Sequence, residues 1–157
     1  MDIIIGIGEI GISNSIEDVI ITYALVSCVG LTIYSPKNHT AGMAHIALPK
    51  PVTINKSNRI GYYATTAVPE IINRMCYQYG CNKRDMIVSL YGGAISQNKN
   101  DIFNIGKRNV ETVKRILKDM GIKINFLDIG GTNSRTLKMN VATGRITVSL
   151  QPMINHV

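Results

Sequence analysis

Residues 19–36 form an uncharged, largely apolar run that limits the folds open to this chain more than any other stretch. The run is close to the ~20 residues that a helix needs to cross a bilayer. It is rich in Val, Ile, Thr and Tyr, which favour strands, and Gly30 interrupts it. We therefore predict two buried strands, 19–25 and 29–35, with Cys28 at their junction and no membrane insertion.

Two segments have the apolar periodicity of helices. In 65–79 and again in 105–120, apolar residues recur at 3.6-residue spacing. Gly80 and Gly121 are suited to end these helices, and Asn104 is suited to cap the start of the second. We predict a helix in each segment.

The remaining patterns favour strands. The other predicted strands are 3–8, 41–48, 86–93, 122–129, 136–142 and 145–150. Strands and helices do not alternate as in a βαβ fold, which favours the α+β class. At 157 residues, the chain is expected to form a single domain, 1–157.

Cys28 is the candidate nucleophile. A reactive cysteine needs a base nearby, because the thiolate is the attacking species. His45 lies in the apolar strand 41–48, where an imidazole costs packing and desolvation unless it has a partner. A short turn joins the two strands concerned, so antiparallel pairing would bring Cys28 and His45 face to face. Thr22, on the preceding strand, is the candidate to orient the imidazole.

Each of these three residues also has a purely structural interpretation. Cysteine is among the most buried residue types, and threonine is a common strand residue. A lone histidine in a strand is more often a satisfied core residue. What favours catalysis is the combination of Cys28 and His45 in one predicted hairpin, and the two interpretations stay open on the residues alone.

Charge is distributed unevenly along the chain. The formal net charge is +7; residues 1–36 contain four acids and no Lys or Arg, and all 17 basic residues follow. This excess predicts an anionic partner. We do not predict nucleic-acid binding, because the sequence has no RNA-binding motif and no paired Cys/His ligands. Lys107, Lys114 and Lys118 form a stripe on the second helix, which is either a docking surface for an acidic helix or a solvated face.

The sequence predicts neither a cofactor nor a metal. Cys76 and Cys81 lack the further ligands that zinc requires, and no GxGxxG or Walker pattern is present. Three cysteines cannot all pair within the chain, and Met1-Asp2 lacks the basic start of a signal peptide. Both observations predict a reducing, cytoplasmic location.

Five segments carry a family resemblance. They are TYALVSCVG, AGMAHIALP, YGGA, NIGKRNVETVKRILKDMGI and IGGTNSR. In this order and spacing they resemble the CheD family of chemoreceptor glutamine deamidases over nearly the whole chain. The resemblance implies a layered α/β/β sandwich similar to toxin-type cysteine deamidase domains, and a Cys-His-Thr triad at Cys28, His45 and Thr22. Val26 and Ser134 depart from the family pattern, which commonly has glycine there.

The resemblance also implies a function. It implies hydrolysis of selected chemoreceptor glutamine side chains to glutamate, through a thioester and without metal or organic cofactor. The implied partners are the cytoplasmic helical domains of receptors and the CheC phosphatase, which acts on phosphorylated CheY. A second hypothesis is a binding module that mainly regulates CheC, and a third is a cysteine amidase or protease with another substrate. Loss of deamidation with retained partner binding in Cys28→Ala would separate the first two.

Overall fold

The computed structural model describes residues 1–52, 57–95 and 103–152. Within these ranges the chain forms nine strands and two α-helices. The strands are β1 (Asp2–Ile4), β2 (Ile10–Ser13), β3 (Val19–Leu25), β4 (Val29–Ser35), β5 (Thr40–Ile46), β6 (Ile87–Gly92), β7 (Phe126–Ile129), β8 (Asn133–Asn140) and β9 (Ile146–Pro152). The helices are α1 (Ala64–Tyr79) and α2 (Ile105–Asp119), with short 3-10 helices at Ile60–Tyr62 and Lys83–Asp85.

The strands form two mixed sheets. The four-stranded sheet has the order β1-β3-β8-β9, and the five-stranded sheet has the order β2-β5-β4-β6-β7. In the larger sheet β4 pairs antiparallel with β5, from Val29 opposite Ile46 to Ser35 opposite Thr40. The pairs β1 with β3 and β6 with β7 are parallel. Two consecutive strands, β3 and β4, therefore lie in different sheets, and Cys28 lies in the crossing between them.

Two apolar cores separate three layers. One core joins the helices to the five-stranded sheet and includes Leu31, Ile71 and Val113. The other lies between the two sheets and includes Leu25 and Met43. All residues of β4 are buried, because this strand faces both cores. The predicted α+β class and the α/β/β layering are confirmed.

The run 19–36 folds as two strands. The observed bounds of β3 and β4 are those predicted from the sequence. Among the described residues, no helix has both the length and the apolar character needed to cross a membrane.

The N-terminal strands differ from the prediction. β1 ends at Ile4 instead of continuing to residue 8, and the chain turns at Gly8, which has a φ of 82°. β2 was not predicted: it has four residues, includes Gly11, and is defined by its pairing with β5. Such a short segment has too little alternation to be recognised without its partner strand.

β7 also begins later than predicted, at Phe126 instead of residue 122. Asn125 precedes it and pairs with Val88 partly through its side chain. Its N–H donates to the Val88 carbonyl at 2.8 Å, and its side-chain oxygen accepts from the Val88 N–H at 2.8 Å. The side-chain bond replaces regular pairing, so the strand starts after this residue.

The helix ends agree with the prediction in position. Gly80 caps α1 with a φ of 71°, and its N–H donates to the Met75 carbonyl. Asn104 occupies the N-cap position of α2, but it is left-handed, with a φ of 49°, and its side chain makes no capping hydrogen bond. The predicted side-chain cap at Asn104 is therefore wrong.

Candidate active site

Thr22 and His45 face each other across the space between the sheets. Thr22 lies on β3 of the four-stranded sheet and His45 on β5 of the five-stranded sheet, and both are buried. The Thr22 Oγ1 lies 2.7 Å from His45 Nδ1 and 2.9 Å from the Ile5 carbonyl oxygen. The carbonyl can only accept, so the single hydroxyl proton goes to Ile5 and the hydroxyl accepts from Nδ1–H. This arrangement leaves the lone pair of the imidazole on Nε2.

The turn after β1 holds the backbone of His45. The Gly8 N–H donates to the His45 carbonyl at 2.8 Å, and the His45 N–H donates to the Glu9 carbonyl at 3.1 Å. The same segment supplies the Ile5 carbonyl that accepts from Thr22. Residues 5–9, most of which the sequence predicted as strand, therefore fix both the main chain of His45 and its hydroxyl partner.

Cys28 lies in a bend directly before β4 and is half-buried. Its carbonyl accepts from the Gly93 N–H at 2.9 Å, and the Val26 carbonyl accepts from the Ala94 N–H at 2.6 Å. Gly92 has a φ of 98°, and a Cβ there would collide with the Cys28 carbonyl oxygen. The glycine pair 92–93 thus supports the backbone of the candidate nucleophile.

Cys28 lies on the His45 side of the larger sheet. Gly30 is directly opposite His45 in the β4–β5 ladder, and Cys28 precedes Gly30 by two residues. The Cys28 side chain packs against the core between the sheets, where Thr22 meets His45. Nε2 of His45 is buried and has no hydrogen-bond partner among the described residues. The structure therefore joins Thr22 to His45 directly and brings Cys28 to the same side without a hydrogen bond to the imidazole.

Burial sets the charge state of both residues. It raises the pKa of the Cys28 thiol to about 11, against a smaller lowering by a hydrogen bond from its own backbone N–H. It lowers the pKa of the His45 imidazole to about 4. Near neutral pH the pair is consequently a thiol and a neutral imidazole, not a preformed ion pair. Such an imidazole can accept a proton at Nε2 when the thiol attacks.

Val26 does not strain the bend that contains it. The non-glycine residues with positive φ in the described part of the chain are Ala24, His39 and Asn104. Val26 is not among them, so its backbone conformation does not require the glycine that is common in the family.

Comparisons with known proteins agree with this fold and identify a family. The family model described as CheD chemotactic sensory transduction matches residues 47–150. Several relatives carry the name probable chemoreceptor glutamine deamidase CheD. The protein of Syntrophotalea carbinolica is 42% identical over 94% of this chain and 93% of its own length. The proteins of Solibacter usitatus and Methanococcus maripaludis are each 37% identical, over 92% and 90% of this chain and 86% and 90% of their own lengths.

The fold is similar to that of a solved structure. The crystal structure of the Bacillus licheniformis hypothetical protein YfiH matches 77% of this chain with a TM-score of 0.50 and 12% identity. This chain spans about half, 49%, of that protein, and the likeness concerns the fold alone. Together with the extent and level of identity to the relatives above, the family match establishes that this chain belongs to the CheD family.

Proposed function

We propose that this chain is a cytoplasmic protein-glutamine deamidase that converts glutamine side chains of chemoreceptors to glutamate. Cys28 is the nucleophile, His45 the general base and Thr22 the residue that orients the imidazole. The observation that carries the proposal is the buried Thr22–His45 hydrogen bond, which leaves Nε2 as a free base on the side of the sheet where Cys28 packs. The names of the relatives support the substrate class.

In the first half of this reaction, Nε2 of His45 takes the Cys28 proton as the sulfur attacks the glutamine carboxamide carbon. The tetrahedral intermediate collapses when the imidazolium gives its proton to the departing nitrogen, which releases ammonia and leaves a thioester on Cys28. In the second half, His45 draws a proton from water, which attacks the thioester. The thiol is regenerated, and one water has been consumed for each glutamate formed.

A cavity lies beside the glycine turn that supports Cys28, although neither Cys28 nor His45 lines it. The cavity, of about 320 Å³, borders Gly93, whose N–H holds the Cys28 carbonyl, and it is also lined by Ile95, Val110 and Lys107. The charge of the chain, +7, favours an acidic helical partner such as a receptor cytoplasmic domain. The proposed substrate is therefore a glutamine on the surface of such a helix.

The alternative is a binding module that mainly regulates the CheC phosphatase. The observation in its favour is the resting state of the site. Among the described residues no hydrogen bond joins Cys28 to His45, and burial holds the pKa of the thiol at about 11. In a site of this kind the thiol has to approach Nε2 before its proton can be transferred.

Mass spectrometry of receptor cytoplasmic domains incubated with the purified protein tests the proposal. We expect Gln-to-Glu conversion by the native protein, and its loss in Cys28→Ala and in His45→Gln, because each change removes one proton-transfer partner. Conversion that persists in Cys28→Ala would exclude the proposed nucleophile. No conversion by the folded native protein, together with tight CheC binding, would favour the regulatory module.

A further inference from the structure

Asn109 is a fully buried amide in the second turn of α2. Its Nδ2 donates to the Ser27 carbonyl at 2.9 Å and to the Ala47 carbonyl at 3.0 Å. An amide nitrogen has two protons, so both are used. Ser27 directly precedes Cys28, and Ala47 follows His45 by two residues. One side chain therefore hydrogen bonds to both segments that carry the proposed nucleophile and base.

These two hydrogen bonds occur where the β4–β5 ladder stops. Val29 opposite Ile46 is the last pair, and the same register would next place Cys28 opposite Ala47. Beyond that point the Asn109 amide links the two strand ends. On the other side of β4, the Gly93 N–H holds the Cys28 carbonyl. The Gly93 N–H therefore holds the Cys28 carbonyl, and the Asn109 side chain holds the carbonyl of the residue before it.

Helix α2 is itself fixed against the glycine turn. Gly106 lies so close to Gly93 and Ala94 that a Cβ at position 106 would collide with their backbone. The helix, the turn and the bend at Cys28 are therefore packed as one unit. The position of the Asn109 side chain follows from this close contact.

Stability alone does not explain an asparagine at position 109. Its Oδ1 is buried and has no hydrogen-bond partner among the described residues. A buried polar atom without a partner is destabilising, and asparagine is a weak helix former. An apolar residue would avoid both effects but would release the carbonyls of Ser27 and Ala47. The two hydrogen bonds are the feature that only a donor at this site can supply.

We propose that Asn109 is a positioning residue that sets the separation between Cys28 Sγ and His45 Nε2. This inference rests on the proposed function, in which the thiol proton passes to Nε2. It acts through the Ser27 and Ala47 carbonyls and does not touch the substrate. Small displacements of reacting groups reduce rates steeply, by roughly a hundredfold per ångström in sensitive cases.

The main test is Asn109→Leu, which keeps roughly the size of the side chain but removes both donors. Asn109→Ala, which removes both donors with a smaller side chain, serves as a second variant should the leucine destabilise the fold. We expect kcat for receptor glutamine to fall roughly ten- to hundredfold with little change in KM, because the geometry of the reacting pair is lost while the binding surface remains.

An independent measurement is the rate of Cys28 alkylation by iodoacetamide across pH, with each cysteine followed by peptide mass spectrometry. In the native protein we expect the rate to depend on His45, because the neutral imidazole can take the thiol proton as the sulfur attacks the iodoacetamide. In the Asn109 variants the pH profile should approach that of His45→Gln. This readout does not use a receptor, so it distinguishes failure of the positioning role from failure of the proposed substrate.

Val113→Ala is the matched control, because Val113 is fully buried on the same helix and makes neither of the two hydrogen bonds. It should lower Tm while leaving kcat and the alkylation profile of Cys28 near those of the native protein. A folded Asn109 variant with native kcat and a native alkylation profile would overturn the inference. An equal fall in kcat in Val113→Ala would overturn it too, since a general loss of packing around α2 would then explain both results.

The two proposals can fail separately. If native Cys28 shows His45-dependent alkylation but no receptor is converted, the deamidase proposal fails and the alkylation profiles alone decide the role of Asn109.

Discussion

The partner of His45 is a neutral hydroxyl and not a carboxylate. Thr22 accepts from Nδ1–H and so orients the imidazole, but it supplies no negative charge to stabilise an imidazolium. Burial is then unopposed and lowers the pKa of His45 to about 4. The proposed base is well oriented but weak, so proton transfer from Cys28 has to accompany attack on the substrate.

Thr22→Val should reduce kcat roughly ten- to hundredfold, because the isosteric side chain no longer accepts from Nδ1–H and the ring can rotate or change tautomer. Thr22→Ser keeps the hydroxyl and should keep most of the activity. Steady-state kinetics of receptor deamidation measure the change in kcat, and the NMR chemical shifts of the His45 ring nitrogens measure the change in tautomer. Native activity in a folded Thr22→Val protein would rule out the orienting role.

The bend that carries Cys28 is flanked on either side by a residue with a positive φ. β3 has an irregularity between Thr22 and Leu25, where Ala24 has a φ of 56° and its N–H donates to Thr136 Oγ1 at 3.2 Å. At the end of β6, Gly92 has a φ of 98° and contacts the Cys28 carbonyl. Irregular strand ends of this kind often redirect a side chain beside a functional site.

Gly92→Ala should impair both stability and activity, because the new Cβ meets the Cys28 carbonyl and the left-handed backbone becomes strained. We expect a loss of about 1–3 kcal/mol in the free energy of unfolding and a clear fall in kcat. Gly121→Ala is the control, since Gly121 has a φ of 73° but a Cβ added there would meet no atom of the described residues within 4 Å. Urea unfolding and deamidation kinetics measure both variants. A similar fall in kcat in the control would refute the specific role of Gly92.

The folded molecule as a whole keeps two titratable groups neutral. The buried imidazole of His45 resists protonation, and the half-buried thiol of Cys28 resists ionisation. In the unfolded chain both groups would titrate near their ordinary pKa values of 6.5 and 9.0. The fold should therefore be most stable between these two values, because outside them the unfolded chain gains or loses protons that the native state does not.

Stability should fall as the pH drops from about 6.5 to about 4, because only the unfolded chain then binds a proton at this histidine. The loss should be about 3 kcal/mol, at about 1.36 kcal/mol for each unit of pKa shift. For Cys28 the sign is opposite, and stability should fall as the pH rises from about 9 to about 11. Urea unfolding at a series of pH values measures both losses of stability. In His45→Gln the free energy of unfolding should depend less on pH between about 4 and 6.5, and in Cys28→Ala it should depend less on pH between about 9 and 11. An unchanged pH dependence in these variants would contradict the assignment.

The local sequence was sufficient for the elements with a long or well-bounded pattern. Apolar β-formers around Gly30 determined β3 and β4, 3.6-residue periodicity determined the two helices, and the isolation of His45 in an apolar strand marked it as a candidate. These signals lie within a few residues of one another, so they can be recognised before any contact is known. Thr22 was a weaker candidate, because threonine is a common strand residue, and the family resemblance implied the same three residues.

The tertiary structure decided the features that depend on residues distant in sequence. β2 exists because it pairs with β5, and Thr22 meets His45 because β3 and β5 lie in different sheets that face each other. Asn109 contacts Ser27 and Ala47 from 82 and 62 residues away, and no local pattern contains that information. The pKa values of Cys28 and His45 likewise follow from desolvation, which depends on everything packed around each group. The sequence determines which residue types are present at the site, whereas the folded structure determines how far apart they lie and whether they are protonated.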